Sequence, residues 1–393
     1  MANPSYTTRN SSVKHAPTVT GVTDAFPMKT TYRLLSLDFM RGVIMVLLAA
    51  ESTLLYVRWQ ELAGTEGIAG QLVQQFFHVP WQGLHFWDLV QPAFMTIAGT
   101  SLYFSVQHRL QKGDAPSLIT HHVLKRSLKL LLLGVALHCV YAGKLVCELW
   151  NVLAQLSVTL LVAYVLLPYS ARTQLLVSFL CIGLSEALYR FAHIPGFDQP
   201  FTPDKNFGSW MDLLLMGKLN SGHWIAMNFL PTAAHTIWGS LAGKVLASHK
   251  SAASKIKVFV LAGILGVLVG HALDFTGVDP IIKRICTASF VLASGGWVFL
   301  LLAFCYWSID VRKAGHWVLF FTVVGMNPIF IYLFFETVGL QWLNGTVAIF
   351  TNGFTDWFGV PDQVQAVLAS LATLAVEWYI CYWLYQRRIF FRV

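Results

Sequence analysis

Apolar residues run along this chain in long uninterrupted blocks, rather than in the every-third-or-fourth stripe of a helix with one wet face. The blocks fall at about 34–57, 84–106, 123–142, 149–168, 173–190, 223–247, 257–273, 281–307, 317–338 and 365–387. Each has roughly the 20-residue length that crosses a hydrocarbon layer about 30 Å thick. The pattern therefore predicts an all-α, polytopic integral membrane bundle of about ten transmembrane helices, with both termini on one side. An eleventh, re-entrant or interfacial piece is expected at 341–360, where Thr346–Phe350 and Trp357–Val360 are apolar but short. Residues 1–31 are rich in Ser, Thr, Asn and Pro and hold no apolar run, which predicts a disordered tail. They are too long and too polar to open a signal peptide. The first apolar block also carries Asp38, Arg41 and Glu51, so it is read as an uncleaved helix. Residues 32–393 are then one transmembrane domain. No internal repeat is evident, which counts against a repeat-built secondary transporter.

Composition agrees: 56% of the residues are hydrophobic and 12% charged, where a soluble domain carries about 25% charged. The formal charge of +8 invites a nucleic-acid reading, but no basic stripe with interleaved aromatics occurs. Topology explains it better. With a cytoplasmic N-terminus, twenty Lys and Arg fall on or near inner segments and seven on outer ones, the bias that sets orientation in membranes. Both termini are therefore expected in the cytoplasm. The inner loops are short and basic. Three outer loops, 58–83, 191–222 and 339–364, are long and hold Trp59, His78, Trp81, His193, Trp210, Trp342 and Trp357. Aromatic rings there suit either anchoring at the water boundary or packing against the apolar face of a sugar. The six cysteines show no CxxC pair and read as small structural hydrophobes. No histidines or cysteines have metal-ligand spacing, so no metal is expected.

Two clusters carry chemistry. At the inner end of the first block, Asp38 and Arg41 are three apart and share a helix face. Charges at that depth face the bundle interior in pairs, so this pair locks the helix, or Asp38 holds Arg41 toward a phosphate, or both. The second cluster runs from Phe77 to Pro92, where the first outer loop enters the second block. His78 lies just outside that block, and an imidazole near pKa 6.5 is suited to take a proton near neutral pH. Within the ninth block Asn327-Pro328 breaks the helix, either as a kink or to offer an amide to a ligand. Glu336 and Glu377 are acids in apolar surroundings with no partner legible from sequence.

Arg33-Leu34-Leu35-Ser36-Leu37-Asp38 with Arg41-Gly42, His78-Val79-Pro80-Trp81-Gln82-Gly83-Leu84, and Asp88-Leu89-Val90-Gln91-Pro92 with Phe94 and Gly99-Thr100-Ser101 together resemble the heparan-α-glucosaminide N-acetyltransferase family. Its bacterial relatives are often called NagX-type proteins. The likeness continues through Asp279–Lys283 and Gly325-Met326-Asn327-Pro328-Ile329-Phe330 to Tyr385-Gln386-Arg387-Arg388-Ile389-Phe390. It implies a transmembrane enzyme that moves the acetyl group of cytosolic acetyl-CoA to the amine of a glucosamine-type sugar across a bacterial inner membrane. The family's active-site histidine carries over to His78. Trp81, Asp88 and Glu51 become candidate substrate-binding residues, with Glu51 supporting His78 or binding the sugar amine. This chain has Glu51-Ser52 where animal members carry asparagine, so that asparagine's role does not transfer. The large luminal domain of animal members is absent, which implies an acceptor other than heparan.

For the donor, an anionic nucleotide suits an inner mouth bearing Arg41, Lys125 and Arg126, with Lys129, Arg312 and Lys313 nearby. Asp38, Ser101 and Asn327 complete the candidate donor site. Small residues on the second helix, Ala93, Ala98, Gly99 and Ser101, allow close packing or a narrow channel. The sequence is compatible with a homodimer. Two rival functions stay open: a transporter of amino sugars or oligosaccharides, and a membrane acyltransferase acting on a glycan oxygen.

Overall fold

The computed structural model describes residues 34–391 apart from 314 and 316. The expectation for residues 1–31 lies outside these. Among the described residues the regular structure is helical: α1 (Leu35–Ser52), α2 (Leu55–Ala63), α3 (Gly67–Gln74), α4 (Val90–Gln111), α5 (Pro116–Ala142), α6 (Val152–Leu166), α7 (Ala171–Phe191), α8 (Phe207–Met216), α9 (Phe229–Ala247), α10 (Ala252–Phe275), α11 (Ala288–Cys305), α12 (Val318–Gly325), α13 (Pro328–Phe334), α14 (Asn344–Asp356) and α15 (Asp362–Gln386).

Five helical segments are long and apolar enough to cross a membrane, or up to seven if each of two bent pairs is one span. The rest of the ten expected spans are helical but differ in character. α6 is short, at 15 residues. α5 runs for 27 residues but opens on His121, His122, Lys125, Arg126 and Lys129. α9 is the central helix. It packs against α4, α6 and α7, and Thr232, His235, Thr236 and Ser240 are all buried. A helix enclosed by other helices can carry polar groups that bond across the bundle: His235 Nε2 lies 3.1 Å from the Val291 carbonyl, and Ser240 donates to Gln174.

Close helix contacts follow from small residues. A methyl on Gly99 of α4 would sit 2.0 Å from the Thr236 carbonyl of α9, and one on Gly239 would sit 2.0 Å from the Thr96 carbonyl. The two backbones therefore touch, and substitution at either glycine forces them apart. Packing accounts for Gly99, while Ala98 and Ser101 on the same helix line a cavity.

Three departures from the block pattern position the site. The first span bends by 66° between α1 and α2, at Leu54 with φ 62°. The eighth expected block, 281–307, begins its helix only at Ala288. The Asp279 and Glu186 carboxylates accept from the backbone N–H groups of Ser289 and Ala288, capping it there. Residues 281–287 are consequently a loop. The ninth block breaks at Asn327, with Pro328 at the first helical position. It turns by 78° and continues through a π-helical stretch, Phe335–Leu343, into α14, where a re-entrant or interfacial piece was expected.

Candidate active site

His78 lies on the loop between α3 and a 3-10 turn, Phe86–Leu89, that opens α4. Its Nδ1 is 2.8 Å from Asp88 Oδ1. A carboxylate only accepts, so Nδ1 carries the proton and donates to it, leaving Nε2 with the lone pair. Asp88 is held in turn: its Oδ2 accepts from the backbone N–H of His85 at 3.0 Å and of Val79 at 3.4 Å. Its side chain is 1% exposed. A spacing of ten residues, closed by a tight loop, thus sets an imidazole against the carboxylate that orients it.

A third member comes from the loop that the sequence pattern placed inside a span. Lys283 Nζ lies 3.4 Å from Asp88 Oδ1 and 3.1 Å from His78 Nδ1. The two loops are zipped together: Gly83 N–H donates to the Ile281 carbonyl, Gln82 and Ile282 form an antiparallel bridge, and Arg284 donates to the Pro80 carbonyl. Gly83 has φ 127°, a backbone state that side chains rarely adopt. Trp224 closes the far side, 5.2 Å edge-on to the His78 ring and under the cations of Lys283 and Arg284. Burial, then the Lys283 ammonium, push the His78 imidazole down to about 4, against the opposing bond and charge of Asp88. Burial also lowers Lys283, again opposed by Asp88. At neutral pH His78 is therefore an uncharged imidazole with Nε2 as its acceptor.

The His78 ring opens on a cavity of about 300 Å³ whose wall also includes Lys283, Glu51, Glu336, Gln91 and Trp224. A second, larger cavity of about 760 Å³ lies at the basic end of the bundle, walled by Arg41, Ser101, Lys125, Arg126 and Lys129. Phe94 of α4 belongs to the walls of both. Arg41 is fixed by Asp38 at 3.1 Å and by donation to Ser101 Oγ at 2.8 Å. The buried Nε of Arg126 has no hydrogen-bond partner, so a polar donor there awaits an acceptor.

The structure thus brings Arg41, Ser101, Lys125 and Arg126 to one cavity and His78 and Glu51 to the other. Asp38 and Asp88 stand behind these walls and hold Arg41 and His78. Two candidates sit elsewhere. Trp81 donates its indole N–H to the Phe201 carbonyl at 2.8 Å and packs among the loops beyond the cavity. Asn327 uses both ends of its amide on the C-terminal segment, donating to the Ile389 carbonyl and accepting from Phe391 N–H. It anchors a tail whose Phe391 reaches the basic cavity. Lys283 belongs to the family likeness at Asp279–Lys283, yet no role for it is legible in sequence because its partners lie far away in the chain; Pro280, which cannot continue a hydrogen-bonded helix, is the local signal that the helix starts later. Glu336 gains a partner from a distant helix, Tyr141 of α5, which donates to its Oε2 at 2.6 Å. Among the described residues no group of three or more His, Cys, Asp or Glu is placed to hold a metal ion.

The chain matches two curated relatives along most of its length. Heparan-alpha-glucosaminide N-acetyltransferase of Homo sapiens is 22% identical over 92% of this chain and 60% of its own length. The Mus musculus protein of that name is 23% identical over 81% of this chain and 56% of its own. The chain thus spans rather more than half the length of the relatives it matches. The family model described as heparan-alpha-glucosaminide N-acetyltransferase, catalytic, matches residues 33–275, well over half of the 393. That stretch contains Arg41, His78, Asp88, Lys125 and Arg126, and with this match the chain belongs to the heparan-alpha-glucosaminide N-acetyltransferase catalytic family.

Proposed function

We propose that this chain is a transmembrane acetyltransferase, taking acetyl-CoA at its basic end and passing the acetyl group to the amine of a glucosamine-type sugar at the His78 end. The observation that carries this reading is the pair of cavities that share Phe94, one lined by cations and the other by His78 and Lys283, with Asp88 behind them. The excess of Lys and Arg on one side supports a cytosolic basic cavity, cytosolic termini and a His78 loop facing the periplasm of a bacterial inner membrane. The names of the relatives support the amine of a glucosaminide as acceptor.

In this reading Arg41, held by Asp38 and Ser101, and Arg126, with its unpartnered Nε, bind the nucleotide phosphates. The slender pantetheine arm passes beside Phe94 and brings the thioester to the outer cavity. The amine nitrogen bonds to the thioester carbonyl carbon while His78 Nε2 takes its proton. The C–S bond then breaks, and the imidazolium returns that proton to the departing thiolate. Asp88 keeps the ring in the tautomer that frees Nε2 and stabilises the transient imidazolium.

The test is the initial rate of CoA release from acetyl-CoA, with and without glucosamine, for wild type and His78→Ala. Glucosamine-dependent release that drops by about 10²–10⁴ in the variant supports the assignment; equal rates refute it. Acetyl-CoA at a hundred times its dissociation constant should also stabilise the purified protein by about 2.7 kcal/mol. Absence of any thermal shift would favour a transporter. Mass spectrometry of products from glucosamine and glucose separates transfer to nitrogen from transfer to oxygen. Radiolabelled acetyl trapped on wild type without acceptor, and lost in His78→Ala, would replace direct transfer by an acetyl-histidine route.

A further inference from the structure

The reaction proposed above needs two proton acceptors, and His78 accounts for one. A sugar amine with an ordinary pKa of about 8 arrives mostly as an ammonium at neutral pH. Turning that ammonium and a thioester into an amide and a thiol removes two protons from nitrogen. The first must leave before attack, because the ammonium has no lone pair. The second leaves as the new bond forms and ends on the thiolate sulfur. The net reaction therefore releases one proton, and a group near the amine must receive it.

We infer that Glu336 receives the acceptor's ammonium and takes its first proton. This rests on the acetyl-transfer reading. Three features of the outer cavity point to Glu336. It shares that cavity's wall with His78. Tyr141 donates to its Oε2 at 2.6 Å, which fixes the carboxylate, while among the described residues none donates to Oε1. It also sits at the start of the π-helical stretch Phe335–Leu343, in a span already bent at Asn327. Wide helical turns of this kind recur where a side chain must be re-aimed at a site.

The charged and titratable groups around it come from several elements: Glu51 of α1, His78 and Lys283 of the two zipped loops, His138 and Tyr141 of α5, and Tyr332 of α13. His138 is already engaged, 2.6 Å from Glu148, which is also paired with Lys218. Lys283 is engaged with Asp88. Glu51 and Glu336 are the two carboxylates left facing the space: Glu51 is met by the Trp87 side chain, and Glu336 by the Tyr141 hydroxyl through Oε2 alone. A carboxylate and an arriving ammonium offset each other's loss of hydration, whereas either alone in the cavity is costly.

The stepwise balance closes. Glu336 takes one proton from the ammonium, giving a carboxylic acid and a free amine. The amine attacks the thioester carbonyl, His78 takes the second proton, and the C–S bond breaks. The proton on His78 passes to the thiolate, and the proton on Glu336 passes to water at the cavity mouth.

Glu336→Gln, which keeps shape and removes basicity, is compared with wild type on two acceptors across pH 6–9. One is glucosamine; the other is an arylamine, which is unprotonated throughout this range. Thermal stabilisation by acetyl-CoA reports that the variant is folded and loads donor. The expected result is a loss of up to about 30-fold in kcat/KM for glucosamine at pH 6.5, where about 3% of an amine of pKa about 8 is free, shrinking toward pH 9 as solution supplies free amine, with the arylamine slowed less than threefold. Glu336→Asp, retaining a carboxylate, should recover part of the low-pH rate. An equal loss on both acceptors at every pH, with donor stabilisation intact, would assign Glu336 a structural role and overturn the inference. So would no loss on either. If wild type acetylates neither acceptor, the acetyl-transfer reading falls and this inference with it.

Discussion

Replacing Lys283 by Met tests whether the cation beside His78 sets its proton affinity. Lys283 Nζ lies 3.1 Å from His78 Nδ1, and its side chain is only 7% exposed. At an effective dielectric of about 20, two unit charges at that distance repel by about 5 kcal/mol. The imidazolium spreads its charge over the ring, and the ring is 31% exposed, so about half of this should be felt. Some 2–3 kcal/mol corresponds to about a hundredfold in proton affinity. Removing the ammonium should therefore lift the His78 midpoint from about 4 to about 6. In the proposed reaction the neutral imidazole is the base, so activity is lost as pH falls through the midpoint, and the variant loses it sooner. The assay is kcat/KM for CoA release between pH 4.5 and 8.5, read as the ratio of variant to wild type so that acceptor ionisation cancels. At pH 5 that ratio should lie about tenfold below its value at pH 8. Lys283→Arg, which keeps the charge, should leave the ratio flat. A flat ratio for Lys283→Met would mean that the cation does not govern the base.

Other outcomes follow from the same geometry. Asp88→Asn can hydrogen-bond either tautomer of His78 and leaves Lys283 without its counter-charge; kcat should fall by about 10²–10⁴ with acetyl-CoA affinity within twofold of wild type, measured by thermal shift titration. Arg126→Met removes the donor whose Nε lacks a partner. It should weaken acetyl-CoA by about 10–100-fold, the worth of a charge-assisted hydrogen bond, while a truncated acetyl thioester without the nucleotide reacts unchanged. Asn327→Leu removes both bonds to the C-terminal segment and should lower stability by about 1–3 kcal/mol, with faster proteolytic trimming near Ile389. The depressed midpoint of His78 also makes stability depend on pH. The unfolded chain binds this proton near 6.5 and the folded one near 4, so stability should be constant above about 6.5 and decline as pH falls toward 4. The upper bound is about 3 kcal/mol, reduced because the ring is partly wet; His78→Gln should flatten that decline in thermal denaturation.

Class and element type were legible in the chain because the bilayer constrains them through length and apolarity alone. Blocks of about 20 apolar residues can satisfy their own backbone only as helices, and the observed helices coincide with those blocks to within a few residues at α4, α7, α10 and α15. Buried Asp38 beside Arg41 could likewise be read locally, since residues three apart meet on one face. The role proposed for His78 came from a motif, not from periodicity. Tertiary structure decided what lies far apart in sequence. Lys283 reaches Asp88 from 195 residues away because Pro280 and the capped start of α11 turn an apolar run into a loop. Tyr141 meets Glu336 across a similar separation. Asn327 serves the tail, because the tail folds back onto it. Local hydropathy sets whether a segment lies in lipid, whereas which polar groups face one another depends on how the bent and broken spans pack, and no single segment carries that information.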